Sequence, residues 1–273
     1  DGGDSWSPLS KIKLRDVCFV DRLNGWGLSA QGVRPELLRS ADGGATWQAR
    51  PIDERPEWLY QVRFVDARHG FIAAGQYGSR HGGWVLTTAD GGRAWRARKV
   101  ADTPIKAACF IDRLEGWAIG DQDIVHTGDG GRSWTVQLHR DNGAVHGSDI
   151  WFVDARHGWA VGEAPGRVWM TADGGRTWRV VWRGDEITLN AIRFADASTG
   201  WAVGTRYPAD DEDGDAASVT GSSSTGVVLK TADGGATWRQ QRFIDVSELF
   251  DVALAGREAL VVAGSAAVVR RPL

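Results

Sequence analysis

Three features of the chain predict an all-β fold, a six-bladed β-propeller with four antiparallel strands per blade. The first is a box, Asp-Gly-Gly-x-x-Trp, that begins at Asp1, Asp42, Asp90, Asp129, Asp173 and Asp233. Its spacing of roughly 40 to 60 residues is that of a four-stranded blade. The second is an upstream motif, Phe-x-Asp followed by Gly-Trp or Gly-Phe, starting at Phe19, Phe64, Phe110, Phe152 and Phe194. The third is the sixth repeat, which is divided between the two ends of the chain.

Within a repeat the elements follow in order. In the fourth copy, Trp151-Phe152-Val153-Asp154 closes a first strand, and the stretch from Asp154 to Gly158 is a turn. Gly158-Trp159-Ala160-Val161-Gly162 is a second strand, Val168-Trp169-Met170-Thr171 a third that enters the box, and Thr177-Trp178-Arg179-Val180-Val181 a fourth that leaves it. Apolar alternation bounded by turn residues supports each assignment. In the box the Asp can bond its own following backbone, the glycines permit positive φ, and the Trp anchors the next strand. Ser40, Thr88, Thr127, Thr171 and Thr231 stand two residues before five of the box aspartates, suited to closing the hairpin. The boxes therefore read as structural clips rather than six equivalent catalytic or metal sites.

Residues 249–256, 259–264 and 266–271 match the first three strands of a repeat, and no box follows Arg271. The first nine residues carry the missing box and strand. The expectation is that the N-terminal strand joins the C-terminal blade and closes the ring, removing open sheet edges. The blades then span about 10–50, 51–98, 99–138, 139–183, 184–242, and 243–273 with 1–9, in one domain covering 1–273.

A net charge of −3 excludes the basic footprint of a general nucleic-acid binder, and no apolar run is long enough to insert in a membrane. A monomer is expected. The chain starts at Asp1 without a Met, which reads as a matured or trimmed product with any export signal out of view. Cys18 and Cys109, in equivalent inner-strand places, read as buried free thiols. No Cys or His cluster has ligand spacing, so neither metal nor cofactor is expected. Of the 15 tryptophans, ten belong to the repeat, and Trp58, Trp84, Trp151, Trp169 and Trp182 fall outside it. Trp58 and Trp84 lie in or beside loops where a ligand could meet them.

The connections from strand two to three, and from strand four onward, vary in chemistry, whereas the boxes hardly vary. Function is expected on the variable side. Its candidate partner-binding residues are Arg15, Tyr60 and Lys106, at matching positions of three consecutive repeats, with Arg34, Arg80, His81, Trp84, Arg167, Arg206 and Tyr207. An arginine-rich surface with aromatics suits the carboxylates of a protein partner, such as a membrane-protein complex or an acidic tail. Residues 205–226 interrupt the period with an acidic, Ser/Gly-rich stretch, expected to be a mobile loop. Calcium is the alternative there, although the stretch fails the EF-hand order. Asp16, Asp149 and Asp251 occupy equivalent inner-strand sites and read as polar channel lining, with a glycosidase pair of Asp16 and Asp251 as the alternative.

The boxes resemble the Asp-box, or BNR, repeat of sialidases, sortilin-type receptors and xyloglucan-cleaving hydrolases. The combined pattern from Trp151 to Trp178 looks most like the photosystem II stability/assembly factor family and its relatives in non-photosynthetic bacteria. That resemblance implies an extracytoplasmic, non-catalytic propeller, periplasmic, lumenal or secreted, that docks or chaperones a membrane-protein partner. Family members resemble a seven-bladed ring with an arginine patch, and six blades are counted here. No individual binding residue carries over. The alternative is a glycan-binding or sialidase-like glycoside hydrolase propeller using Asp16, Asp251, Tyr60 and Trp84. The Arg-Ile-Pro segment of the sialidases is lacking.

Overall fold

Two glycines in the left-handed region shape every described box. Both adopt φ between 72° and 94° at Gly43 and Gly44, and at the matching pairs through Gly234 and Gly235, a conformation that costs a side-chain-bearing residue energy. The preceding hydroxyl then closes the turn. Ser40 Oγ accepts from the Gly44 N–H at 2.8 Å and donates to Asp42 at 2.8 Å. Asp42 accepts from the Thr46 N–H and hydroxyl at 2.9 and 2.6 Å. The Thr171 and Thr231 boxes repeat the pattern. The first box glycine also donates to the Asp-to-Gly turn of its own blade, as from Gly43 to the Leu23 carbonyl at 3.0 Å. Both turns at that end of a blade are thereby joined.

A computed structural model of the chain describes residues 12–30, 35–53, 56–77, 81–140, 145–163, 165–207, 224–241, 247–255, 258–263 and 268–271. The chain divides into two compact units, residues 3–147 and 148–273. The first holds three antiparallel sheets of four strands, each ordered as in the sequence. They are β1 to β4 (Leu14–Phe19, Gly25–Ser29, Leu37–Ser40, Gln48–Arg50), β5 to β8 (Trp58–Phe64, Gly70–Gln76, Gly82–Thr88, Arg96–Ala101) and β9 to β12 (Ile105–Phe110, Gly116–Gly120, Asp123–Thr127, Thr135–His139). The second unit holds two more, β13 to β16 (Gly147–Phe152, Gly158–Gly162, Gly166–Thr171, Arg179–Gly184) and β17 to β20 (Ile187–Phe194, Gly200–Arg206, Thr225–Thr231, Arg239–Gln241). Its last sheet has three strands, β21 to β23 (Leu249–Ala255, Glu258–Ala263, Val268–Arg271).

The expected six-bladed ring is thus corrected: the described residues form five four-stranded blades, and the final sheet stops at three strands. Residues 1–11, which carry the sixth box, lie outside the described residues. The four-stranded antiparallel blade itself is as expected. The insertion is shorter than its expected bounds, because β18 runs to Arg206 and β19 starts at Thr225. Its acidic tract, residues 208–223, lies outside the described residues, and the expectations of mobility and calcium fall there.

Blades are fastened to their neighbours by stacked rings. The Trp26 indole lies against Phe64 of the next blade, centroids 3.6 Å apart, and its N–H donates to the Gly91 carbonyl at 3.1 Å. In the second unit Trp159 repeats this with Phe194 at 3.5 Å and the Gly234 carbonyl at 2.9 Å. The box Trp of the receiving blade meets the same Phe edge-on, as Trp95 does Phe64 and Trp238 does Phe194. Trp26 and Trp159 are fully buried, and both sit in apolar clusters that span two blades. The described repeat tryptophans are therefore packing within and between blades, which accounts for most of the tryptophans without a carbohydrate platform.

Candidate functional site

Five inner strands carry a β-bulge near their start, and the bulge decides which side chain stands at the rim. In β1, Leu14 pairs with Ser29 and Asp16 with Leu28, leaving Arg15 as the extra residue. Tyr60 is extra between Leu59 and Gln61, and Lys106 between Ile105 and Ala107. In the second unit Asn190 and Phe250 hold the same place. A bulge frees its extra residue from the ladder and re-aims it. The sequence alignment placed Arg15, Tyr60 and Lys106 at matching positions; the structure adds the reason they project alike.

In the first unit Arg15 meets Tyr60, and Lys106 holds an ion pair of its own. The Arg15 guanidinium carbon lies 5.7 Å from the Tyr60 ring centroid, within cation–π range. The Tyr60 hydroxyl donates to that of Tyr77 at 3.1 Å, and Lys106 pairs with Asp121 at 2.8 Å. Burial pushes the Tyr60 phenol above its ordinary range, the Tyr77 bond adds to this, and Arg15 opposes it, so Tyr60 is a neutral donor and acceptor at physiological pH. Tyr77 is half exposed and meets the His81 ring edge-on at 6.0 Å. The result is a rim with an exposed guanidinium, two phenols and an ion pair.

The other candidates are placed differently. Trp84 sits within β7, partly buried against the core cluster of Leu59 and Leu86, and is no loop platform. Trp58 opens β5. Arg167 lies in β15 across from Arg183. Arg206, at the end of β18, and Tyr207, just after it, are exposed, Arg206 reaching Gln240 at 3.4 Å. Arg34 and Arg80 lie outside the described residues.

The aspartates offered as channel lining or a glycosidase pair have another use. Asp16 accepts from the Val62 N–H at 2.6 Å and from Arg63 at 2.8 and 2.9 Å, latching β1 to β5. Asp149, buried, accepts from the Ile192 N–H at 3.0 Å and from Arg193, whose other nitrogen lies 3.4 Å from Asp251. Gln61 does the same for the Ala108 N–H at 2.9 Å. These are inter-blade latches, with Asp16 and Asp149 held by arginine and Asp251, its side chain 45% exposed, at the far side of Arg193. The repeats held the signal: Arg63 and Arg193 each directly precede the Phe of the blade that receives the latch. Cys18 is half-buried and Cys109 buried, both free thiols. Burial raises the Cys18 thiol, partly opposed by the Phe64 N–H that it accepts at 3.3 Å, which makes it a poor nucleophile.

Residues 54–144 match the family model described as photosynthesis system II assembly factor YCF48. Over those residues, a third of its length, the chain is similar to that BNR-type assembly factor. No curated protein sequence matches it. Among solved structures, YCF48 from Cyanidioschyzon merolae is similar at 15% identity, with 96% of each chain covered and a TM-score of 0.55. The GH74 enzyme of Niastella koreensis is similar at 13% identity over 94% of this chain, TM-score 0.66, and the GH74 xyloglucanase of Xanthomonas campestris at 12% over 93%, TM-score 0.64. This chain spans 44% of the length of each of those enzymes. At such identities the likeness is one of fold. No helix among the described residues is long and apolar enough to cross a membrane.

Proposed function

We propose that the chain is a non-catalytic, extracytoplasmic assembly propeller that captures a carboxylate-bearing segment of a protein partner, a subunit of a membrane complex, on the bulged rim of its first unit. The observation that carries this reading is the bulged row of Arg15, Tyr60 and Lys106 on three adjacent inner strands, with Arg15 over Tyr60 and Tyr77 bonded to it. An exposed guanidinium set over a phenol offers charge, hydrogen bonding and flat apolar area with little rotamer freedom left to lose. The match of residues 54–144 to an assembly-factor family supports a protein as the partner, since two of the three rim blades lie within it. Arg206 and Tyr207, exposed in the second unit, are a separate contact candidate. Against the glycan-hydrolase alternative stands the pairing of Asp16, one of its two carboxylates, with Arg63.

The test is pull-down of partners from an extracytoplasmic fraction by the full chain and by Arg15→Glu and Tyr60→Ala. Both changes are expected to reduce capture about tenfold, equivalent to roughly 1.4 kcal/mol, with unaltered circular dichroism. Undiminished capture by both variants overturns the assignment of the rim.

A further inference from the structure

The seam between blades one and two gathers arginines from both sides. In blade one the Trp26 indole is paired across the strands with Arg39, whereas blade two has Phe71 and Thr87 in those places. The Arg39 guanidinium lies 4.2 Å from the Trp26 ring centroid and donates to the Asn24 side-chain oxygen and, at 3.3 Å, to the Gly25 carbonyl. It is fixed in place. Strand register sets a second arginine on the same face, because Arg39 pairs with Gln48 and Arg50 with Leu37, which packs into blade two. Blade two brings two more: Arg68 in its Asp-to-Gly turn and Arg93 in its box. The Gly91 N–H donates to the Arg68 carbonyl at 2.8 Å and joins those turns.

The four arginines line one cleft of about 350 Å³, and Asp90 is the single carboxylate in its lining. The cleft between blades two and three, by contrast, has three arginines against three aspartates. Asp90 is committed to its own box, accepting from the Thr88 hydroxyl at 2.8 Å and from the N–H groups of Arg93 and Ala94 at 2.9 and 3.0 Å. Asp21 and Asp66, in the Asp-to-Gly turns of the two blades, are outside the lining and bond within those turns. Arg50, Arg68 and Arg93 are exposed, and their side chains make no hydrogen bond or ion pair among the described residues. Burial, then the Arg50 charge, push the Arg39 guanidinium below its usual range, with Asp21 opposing. The seam therefore holds more positive charge than the fold neutralises.

We propose that this cleft binds a phosphate ester or diphosphate, its oxygens bridging guanidiniums from the two blades. A carboxylate offers two oxygens and one charge, which a single guanidinium fork satisfies. A phosphoryl group carries roughly two charges on three oxygens and answers several forks at once. The site shares no residue with the bulged rim and stands or falls independently of it.

The test is calorimetric titration of the full chain with pyrophosphate at low salt. Arg50→Glu and Arg68→Glu, both at exposed positions, are each expected to weaken binding at least about tenfold. Arg50→Lys, which keeps the charge and loses the fork, is expected to fall between parent and Arg50→Glu. Arg96→Glu at the neighbouring cleft and Arg15→Glu at the rim are expected to bind as the parent does, which separates the site from net charge and from the rim. Flotation with phosphatidylcholine vesicles containing phosphatidic acid distinguishes the sources of the phosphate. Vesicle binding that Arg68→Glu loses assigns it to a lipid headgroup, and pyrophosphate binding without vesicle binding assigns it to a soluble ester. No binding at millimolar pyrophosphate, parental affinity in folded Arg50→Glu and Arg68→Glu, or tighter binding of a tetraglutamate peptide than of pyrophosphate overturns the proposal.

Discussion

Asp16 and Arg63 lie 47 residues apart in sequence, yet the carboxylate takes both the guanidinium and the Val62 N–H. Charge-assisted bonds of this kind contribute about 1.5–3 kcal/mol when largely shielded from water. The two side chains are only 15% and 21% exposed, so screening is modest. Asp16→Ala is expected to destabilise the chain by about 2–3 kcal/mol in chemical denaturation. Asp16→Asn, which keeps a neutral acceptor for the Val62 N–H, is expected to recover about half. A loss within about 0.5 kcal/mol for the alanine variant, the range of an ordinary surface change, would remove the latch from the account. Single residues were the least legible level in the sequence. Asp16 and Asp149 were visible as equivalent polar inner-strand positions, but which charge they answer depends on a strand one repeat away. The rim residues were legible as a row, whereas their projection depends on a bulge that side-chain alternation cannot reveal.

At the scale of the element, the box and the Asp-to-Gly turn were legible because their chemistry is local: a hydroxyl, a carboxylate and two glycines within six residues fix the hairpin. The seam between blades was half legible. Trp at the start of strand two read as packing, but its N–H bond to the next box joins Trp26 to Gly91 across 65 residues. This bond gives a prediction that the first unit has already tried in natural form. Trp159→Phe removes the donor to the buried Gly234 carbonyl and part of the ring stacked on Phe194 at 3.5 Å. An orphaned buried acceptor costs about 1–3 kcal/mol and the lost ring area adds to it. Thermal unfolding of Trp159→Phe is therefore expected to show a destabilisation of about 2–4 kcal/mol. Parental stability would show that the indole N–H contributes little to joining blades.

For the whole molecule, repetition makes small local effects add with one sign, and this governs its response to acid. The Thr46, Thr177 and Thr237 hydroxyls, with the backbone N–H of the same residues, hold Asp42, Asp173 and Asp233 down at about 2. Ser133 holds Asp129 lower still, and the Ala94 N–H lowers Asp90. In the unfolded chain these groups return towards the ordinary aspartate value of 3.8. Between about pH 4 and pH 2 the unfolded chain therefore binds more protons than the folded one, so stability falls as pH falls through that window and is fully present above it. The boxes occur in both units, which makes the acid dependence steep rather than that of one group. Five repeats were legible here because each carries its own box, and so were the three strands of the last sheet; the sixth blade was not, because its fourth strand was assigned from residues far away in the chain. The steepness can be measured by following tryptophan fluorescence in denaturant at a series of pH values. Replacing Asp173 by asparagine, which keeps an acceptor for Thr177 while removing the titration, is expected to lower the slope of stability against pH in this window by up to one proton and to leave it unchanged near pH 7. An unaltered slope in that variant would mean that the box carboxylates titrate alike in the folded and unfolded chain, and that their short hydrogen bonds do not set the acid limit of the fold.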